Sequence, residues 1–379
     1  MASLKIVHIV ANLGLDSVAQ TTLHTVRCVN QSLFDTSLIS GPGGFLDDEV
    51  MLGKDVSVRF CGDLSRSVRP IADFQAYQRL REILKELKPD VVHTHNSKAG
   101  VLGRLAASAE NVPVIVHTYH AFGFHLYQNV GVFRLSVALE KEACRRSRHL
   151  IFDSRENAKW AEQLGLIQKC STSLIRSGVE IDPLLRAQRT ETFREKLAIP
   201  PKAKVIGMIA SLKPQKDPLT FVEAADIVSQ KNADVKFLLV GDGELADAVH
   251  RRAAKMRYPD CFAHIGWRRD IPEILANLDV LVSPSLWAGM SRVITEATIA
   301  GVPVVASDVD GGREIVFEGE NGVLAERRNP QDFADKIMRA IVENWKVNPD
   351  ISQKIQHEFD IREMVHQLET LYLQLSSAS

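Results

Sequence analysis

Residues 281–315 read LVSPSLWAGMSRVITEATIAGVPVVASDVDGGREI. An apolar run, Val280–Ser283, ends at a loop, and a helical pattern begins near Ser291 and runs to Ala300. A second apolar run follows at Val302–Ala306 and ends in the turn around Gly311 and Gly312. Two buried-type strands joined by a helix make a parallel crossover unit. Gly289, in the loop, lets the backbone approach a ligand closely. The helix start at Ser291 offers unpaired N–H groups and the positive end of a dipole, which together suit a phosphate. Glu296 lies one to two turns further in, where a carboxylate can accept from ribose hydroxyls. The same spacing also fits a plain strand-to-helix turn with a solvated glutamate.

The same alternation extends outward over the whole chain. Strands are expected at Lys5–Val10, Thr36–Ile39, Val56–Arg59, Val91–His95, Val114–His117, Leu150–Asp153 and Thr172–Ile175, with helices between them. It breaks at 178–204, where Pro183, Pro200 and Pro201 and many charges suggest a linker with a short helix. It resumes with strands at Val205–Ile209, Val235–Val240, Cys261–Ile265, Val280–Ser283, Val302–Ala306 and Gly322–Leu324, and ends on a helix from Asp360 to Leu375. A chain of 379 residues is long enough for two such domains. The fold class is therefore α/β, two Rossmann-like doubly wound domains. Ligands of such sheets bind outside the carboxyl ends of the strands, so chemistry belongs in strand-to-helix loops.

Composition narrows the function. Lys+Arg total 46 against 47 Asp+Glu, which argues against a nucleic-acid binder. Five scattered cysteines, never in a C-x-x-C pair, argue against a disulfide framework or zinc ribbon and fit a reducing, cytoplasmic setting. The N-terminus reads as a first strand rather than a signal peptide, and no run approaches a membrane span.

Residues 283–305 resemble the signature of retaining glycosyltransferase family 4, which has the GT-B fold: two Rossmann-like domains facing a central cleft. The pattern P-S-x-x-E-G-(M/L/F)-x-x-V-x-x-E-A-x-A-x-G-x-P-V-V is matched nearly throughout. Its first glutamate is Ala288 here and its second is Glu296. Through this match Gly289, Met290, Ser291, Arg292 and Glu296 are expected to bind the donor. GMIASLKPQKDPLTFVEAA (207–225) resembles the segment that grips the donor diphosphate. The family's arginine is replaced by Ser211, its lysine is Lys216, and Lys213 stands in for the missing cation. VGDGEL (240–245), with Gly241, resembles the next glycine turn. Asp308–Asp310 has the D-x-D form of a metal site. It occupies the family's A-x-D-x-G-G turn, however, and no metal is expected.

The resemblance is looser in the first half. Gly14 remains from a glycine-rich turn. His120 matches the family's cleft histidine, expected to bond the transferred sugar or its leaving phosphate. His93 and His95 share one strand face and are expected to line the cleft, since a metal would need further ligands. Lys98 reads equally as an acceptor contact or an exposed helix residue, and Arg66 and Arg69 as anion ligands or surface charges. The cluster EKEACRRSRH (140–149) could meet an anionic membrane face at the cytoplasmic side, or merely offset a helix dipole.

The resemblance implies an acceptor-binding domain over 1–180, with a helix of about 360–379 packing back on it, and a nucleotide-sugar domain over 181–359. It implies transfer of a hexose or N-acetylhexosamine, with retention, from a nucleoside diphosphate sugar (UDP-sugar favoured) to a glycan or lipid-linked acceptor of a cell-surface polysaccharide or glycolipid. Lys216, His120 and position 288 carry the catalytic expectation. Because Ala288 lacks the sugar-side carboxylate, whether naturally or by design, the alternative is a catalytically silent sugar-nucleotide-binding or scaffold protein.

Overall fold

The computed structural model describes residues 3–14, 16–53, 55–124, 128–167, 170–287 and 289–377. The chain divides into two compact units. Unit 1 comprises Met1–Gly178 with Ile361–Ser379, and unit 2 comprises Val179–Asp360.

Unit 1 is built on β1 (Leu4–Val10), β2 (Phe34–Ser40), β3 (Ser57–Phe60), β4 (Val91–His95), β5 (Val114–Tyr119), β6 (His149–Phe152) and β7 (Ser171–Leu174). All pair in parallel, in the order β3-β2-β1-β4-β5-β6-β7. The crossovers carry α1 (Ser17–Cys28), α2 (Asp47–Gly53), α3 (Pro70–Leu87), α4 (Ser97–Ala109), α5 (Val130–Cys144) and α6 (Arg155–Gln163). The order of the strands reverses between β1 and β4, so the loops after these two strands flank the switch point of the sheet.

The β-branched runs form the middle strands because both sheet faces are covered: β4 and β5 are buried at every position. Gly100 of α4 lets His117 of β5 pack beneath it, since a Cβ there would lie 2.4 Å from the imidazole Cε1. A buried ion pair joins α4 to α5: Arg104 Nη2 donates to Glu140 Oε2 at 2.5 Å, and Tyr119 Oη donates to the same oxygen at 2.7 Å. Breaking such a pair from one side costs about 3–5 kcal/mol. The opposite face of α5 is exposed and apolar, at Val132, Leu135 and Leu139.

Unit 2 contains β8 (Lys204–Ile209), β9 (Val235–Val240), β10 (Phe262–His264), β11 (Val280–Ser283), β12 (Val304–Ser307) and β13 (Gly322–Ala325). Their order is β10-β9-β8-β11-β12-β13, again all parallel. Its helices are α7 (Ile181–Arg186), α8 (Glu191–Lys196), α9 (Pro218–Lys231), α10 (Ala246–Ala253), α11 (Ile271–Asn277), α12 (Arg292–Ile299), α13 (Asp310–Arg313), α14 (Pro330–Val342) and α15 (Pro349–Glu358). The switch point lies between β8 and β11.

The segment 178–204 is not a linker. It holds α7 and α8, and Ile181, Leu184, Phe193, Ile199 and Ala203 join one core with Leu238, Leu281 and Val304. Pro183 lies in the first turn of α7, and Pro200 and Pro201 lie in the turn between α8 and β8 rather than in an unpacked connection.

The last helix, α16 (Ile361–Ser377), belongs to unit 1. Its Ile361, Met364, Val365, Leu368, Leu371 and Tyr372 close the core over Ile6, Phe34, Val91, Val114 and Ile151. Gly178 passes so close that a Cβ would lie 2.5 Å from the Ile361 Cα.

Candidate functional site

In unit 2 the loops after β8, β9 and β11 are laced together. Leu286 N donates to Gln215 O at 2.8 Å, and Gln215 Nε2 donates to Trp287 O at 2.9 Å. Leu212 N donates to Asp242 O at 2.9 Å, and Leu245 N to Leu212 O at 3.0 Å. Gly241 is required here: its φ is +130°, and a Cβ would meet Ala210 O at 1.8 Å. These bonds bring Ser211, Lys213, Lys216 and Gly241 together with the loop leading to Gly289, Met290 and Ser291. Ala288 lies outside the described residues.

Lys213 and Ser211 are exposed, whereas Lys216 is half-buried in a tight turn, Pro214–Lys216. Desolvation, and then the charge of Lys213, push the Lys216 ammonium below the usual lysine range. Two cations three residues apart on one partly dry loop can attract an anion. Ser291 precedes α12 but gives no side-chain cap; its carbonyl accepts from Ile294 N at 3.1 Å, and the Arg292 and Val293 N–H groups have no partner among the described residues. Glu296 is mostly buried and accepts from Arg292 Nε at 2.7 Å through Oε1. Its Oε2 has no hydrogen-bond donor among the described residues, which leaves an acceptor beside the helix start. Asp308 and Asp310, the D-x-D pair, both face Arg313, Asp308 at 2.5 Å from its Nε.

In unit 1, Gly14 lies in the loop after β1. A Cβ at Gly14 would crowd Asp16 Oδ2 at 3.0 Å. Asp16 caps α1 and pairs closely with Arg66, so Arg66 is already engaged by protein. Lys98 pairs closely with Asp73 and donates to Ser67 O at 2.5 Å. Arg69 donates to Ser65 Oγ at 3.2 Å. Asn96, at the other side of the switch point, has φ +62° and accepts from Ala11 N. Asn12 Oδ1 there is buried without a partner among the described residues.

His93 and His95 do not line an open surface. Both are buried in the sheet, with His8 of β1 beside them. His93 bonds Tyr372 Oη at 2.6 Å and Thr118 Oγ1 at 2.7 Å. His95 bonds His8 at 3.1 Å and His120 at 3.2 Å. The three can bring one nitrogen each within 4.8 Å of one another. Five of their six ring nitrogens have hydrogen-bond partners, however, and only His8 Nε2 has none. This is a hydrogen-bonded cluster rather than a prepared ligand set. His120 is part of it: Nε2 faces His95, and Nδ1 lies 3.1 Å from Ser177 Oγ and 3.9 Å from Asp153 Oδ2. Burial lowers its pKa to about 4, offset in part by the Asp16 carboxylate, so the ring is neutral at pH 7.

Sequence reasoning did not find Gln215, His8, Asp153, Ser177 or Tyr372 as parts of these networks. His8 follows the same period-two pattern as its apolar neighbours, and the others act through partners far away in sequence.

The fold has many relatives among solved structures. Sucrose-phosphate synthase of Thermosynechococcus elongatus aligns over 99% of this chain and 100% of its own, with TM-score 0.83 at 17% identity. The Anabaena protein HepE, solved with UDP and glucose, aligns over 97% of this chain and 99% of its own, with TM-score 0.81 at 20% identity. Two doubly wound units of this order are the GT-B fold.

Residues 19–183 match glycosyltransferase family 4, and residues 189–357 match the glycosyl transferases group 1. The Escherichia coli UDP-Gal:α-D-GlcNAc-diphosphoundecaprenol α-1,3-galactosyltransferase is 32% identical over 99% of this chain and 98% of its own. The Campylobacter jejuni N,N'-diacetylbacillosaminyl-diphospho-undecaprenol α-1,3-N-acetylgalactosaminyltransferase is 26% identical over 72% of this chain and 73% of its own. The chain belongs to the family-4, group-1 glycosyltransferases.

Proposed function

We propose that this enzyme transfers a hexose or N-acetylhexosamine from a UDP-sugar to a lipid-diphosphate-linked sugar, with retention, during assembly of a cell-surface polysaccharide. The observation that carries the reading is the laced loop set of unit 2: Lys213, Lys216 and an open helix start at the sheet's switch point, with Glu296 beside them. The two cations and the α12 N–H groups would stabilise the departing UDP without a metal. Glu296 Oε2 would receive a ribose hydroxyl. In the retaining scheme the acceptor oxygen attacks the face the diphosphate leaves, and a donor phosphate oxygen takes its proton. Retention is also favoured by the relatives' names. Both form α linkages, and UDP-galactose is itself an α-glycosyl diphosphate.

A second observation supports an acceptor held at a lipid surface. On α5, Val132, Leu135 and Leu139 are 55%, 61% and 47% exposed and lie on one face beside exposed Arg134. An apolar stripe with neighbouring cations suits the headgroup boundary of an anionic membrane.

Ala288 favours the alternative of a silent sugar-nucleotide-binding protein, because the family's sugar-side carboxylate is missing. The test is turnover of a UDP-sugar panel with a polyprenyl diphosphate N-acetylglucosamine acceptor, the product's anomeric configuration being read by NMR. The transferase reading expects α product from the unmodified chain, with Ala288→Glu raising its rate. Binding of UDP without turnover in either form would establish the silent reading. No UDP binding in calorimetry would sink both.

A further inference from the structure

Five side chains of unit 1 form one continuous hydrogen-bond chain. Asp153 follows β6, Ser177 follows β7, His120 follows β5, His95 ends β4, and His8 lies inside β1. Ser177 Oγ lies 3.4 Å from Asp153 Oδ2 and 3.1 Å from His120 Nδ1. His120 Nε2 lies 3.2 Å from His95 Nδ1, and His95 Nε2 lies 3.1 Å from His8 Nδ1. His8 Nε2 is buried with no partner among the described residues.

Burial lowers the three histidines, His8 to about 3, His120 to about 4 and His95 well below its usual value, so all are neutral at pH 7. A neutral imidazole has one N–H and one lone pair, so the chain can run in only two senses. Run inward, each Nε2–H donates toward His8. His8 Nε2–H is then a bare buried donor, and Ser177 must give its proton to His120 instead of Asp153. Run outward, each Nδ1–H donates toward Asp153, and Ser177 Oγ is left to donate to Asp153 Oδ2. The sole remainder is a bare lone pair on His8, a smaller cost than an orphaned N–H. Both ends of the chain favour the outward sense.

We propose that Asp153, through Ser177, fixes the tautomer and ring plane of His120, with His95 and His8 as its buried support. Asp153, Ser177 and His95 are thus positioning residues for the transfer reaction. The role in transfer rests on the functional reading above; the tautomer does not. His120 then carries its proton on Nδ1, pointed at Ser177. Toward Nε2 it offers a lone pair, shared with His95, and no proton. A sugar hydroxyl can donate to Nε2 only by displacing the His95 N–H that holds its single lone pair, and a phosphate oxygen cannot accept from it there.

The test is a long-range 1H–15N correlation spectrum of the full chain with 15N-labelled histidine at pH 7, assigned with His120→Gln and His95→Gln. The expected result is the neutral Nδ1–H form at His8, His95 and His120, opposite to the tautomer that free histidine prefers. An Nε2–H form or an imidazolium at His120 would overturn the proposal. In Asp153→Asn the amide can donate as well as accept, so the Nδ1–H form should be lost. Turnover should fall on the order of ten- to a hundredfold, with donor KM within about twofold. A folded Asp153→Asn with unchanged tautomer and turnover also refutes it; if that variant does not fold, the unmodified chain's spectrum decides. Wild-type turnover in His120→Gln would remove the positioning role while leaving the transferase reading intact. Absence of turnover with every donor would strike the functional reading and leave the tautomers standing.

Discussion

Lys213 and Lys216 stand three residues apart on one turn, but the structure makes them unequal. Lys213 is exposed, and its attraction for an anion is screened by salt. Lys216 is half-buried and already partly desolvated, so a diphosphate beside it replaces water it has lost. Lys216→Met is therefore expected to weaken UDP binding by about ten- to a hundredfold, the range of a charge-assisted hydrogen bond. Lys213→Met should cost less, and its effect should shrink at high ionic strength. Calorimetry of both variants at two salt concentrations checks the ranking, and an equal or larger loss in Lys213→Met contradicts it. The lysines were legible because sequence order itself places them on one loop. The partners of His120 were not: Ser177 lies 57 residues on, and His8 lies 87 residues before His95. No local pattern announces such a chain. A pattern of alternating histidines pointed to the shared face of His93 and His95 but not to what covers it, which is Tyr372 of the last helix.

At the scale of elements, strands read well and short helices did not. The run Val235–Val240 is a strand with the bounds its sequence suggests, because every buried position in it is apolar and its one charge, Lys236, is only half-buried. The helices α7 and α8 hide among prolines and charges, and only their packing against the sheet core makes them helical. The basic cluster at the end of α5 also reads differently in place. Glu140 is taken by Arg104, and Arg145 and Arg146 pair with Glu142, so the distinctive face of this helix is its exposed apolar stripe. If that stripe meets a membrane, Leu135→Glu combined with Leu139→Glu should abolish sedimentation with vesicles containing phosphatidylglycerol and leave UDP affinity unchanged. Sedimentation equal to that of the unmodified chain would refute the membrane role.

At the scale of the whole molecule, acid should act first on unit 1. His8, His93, His95, His117 and His120 are all buried there, and burial lowers each below the ordinary 6.5. The unfolded chain binds these protons more readily than the folded one, so stability rises with pH and is lost as pH falls. The loss begins near pH 6.5, the unfolded value. It grows by about 1.4 kcal/mol per pH unit for each histidine, until the folded values are reached, about 4 for His120 and about 3 for His8. Scanning calorimetry from pH 7.5 to pH 5 at constant ionic strength should show a steep fall in the transition of unit 1. A melting profile that does not move over this range would contradict it. UDP, if it binds unit 2 as proposed, should raise that unit's own transition instead.

The C-terminal helix gives the molecule an order of assembly. Unit 2 is a single stretch of chain, 179–360, and has all its residues once that stretch has left the ribosome. The 1–178 part of unit 1 is made before unit 2 but cannot close, because Tyr372 and the apolar face of α16 appear only after all of unit 2. Until then Ile6, Phe34, Val91 and Val114 lack their cover, and His93 lacks the hydroxyl that fills its Nδ1. The half synthesised earliest is therefore finished latest, and a nascent chain stalled anywhere short of α16 exposes the apolar face of its own first sheet.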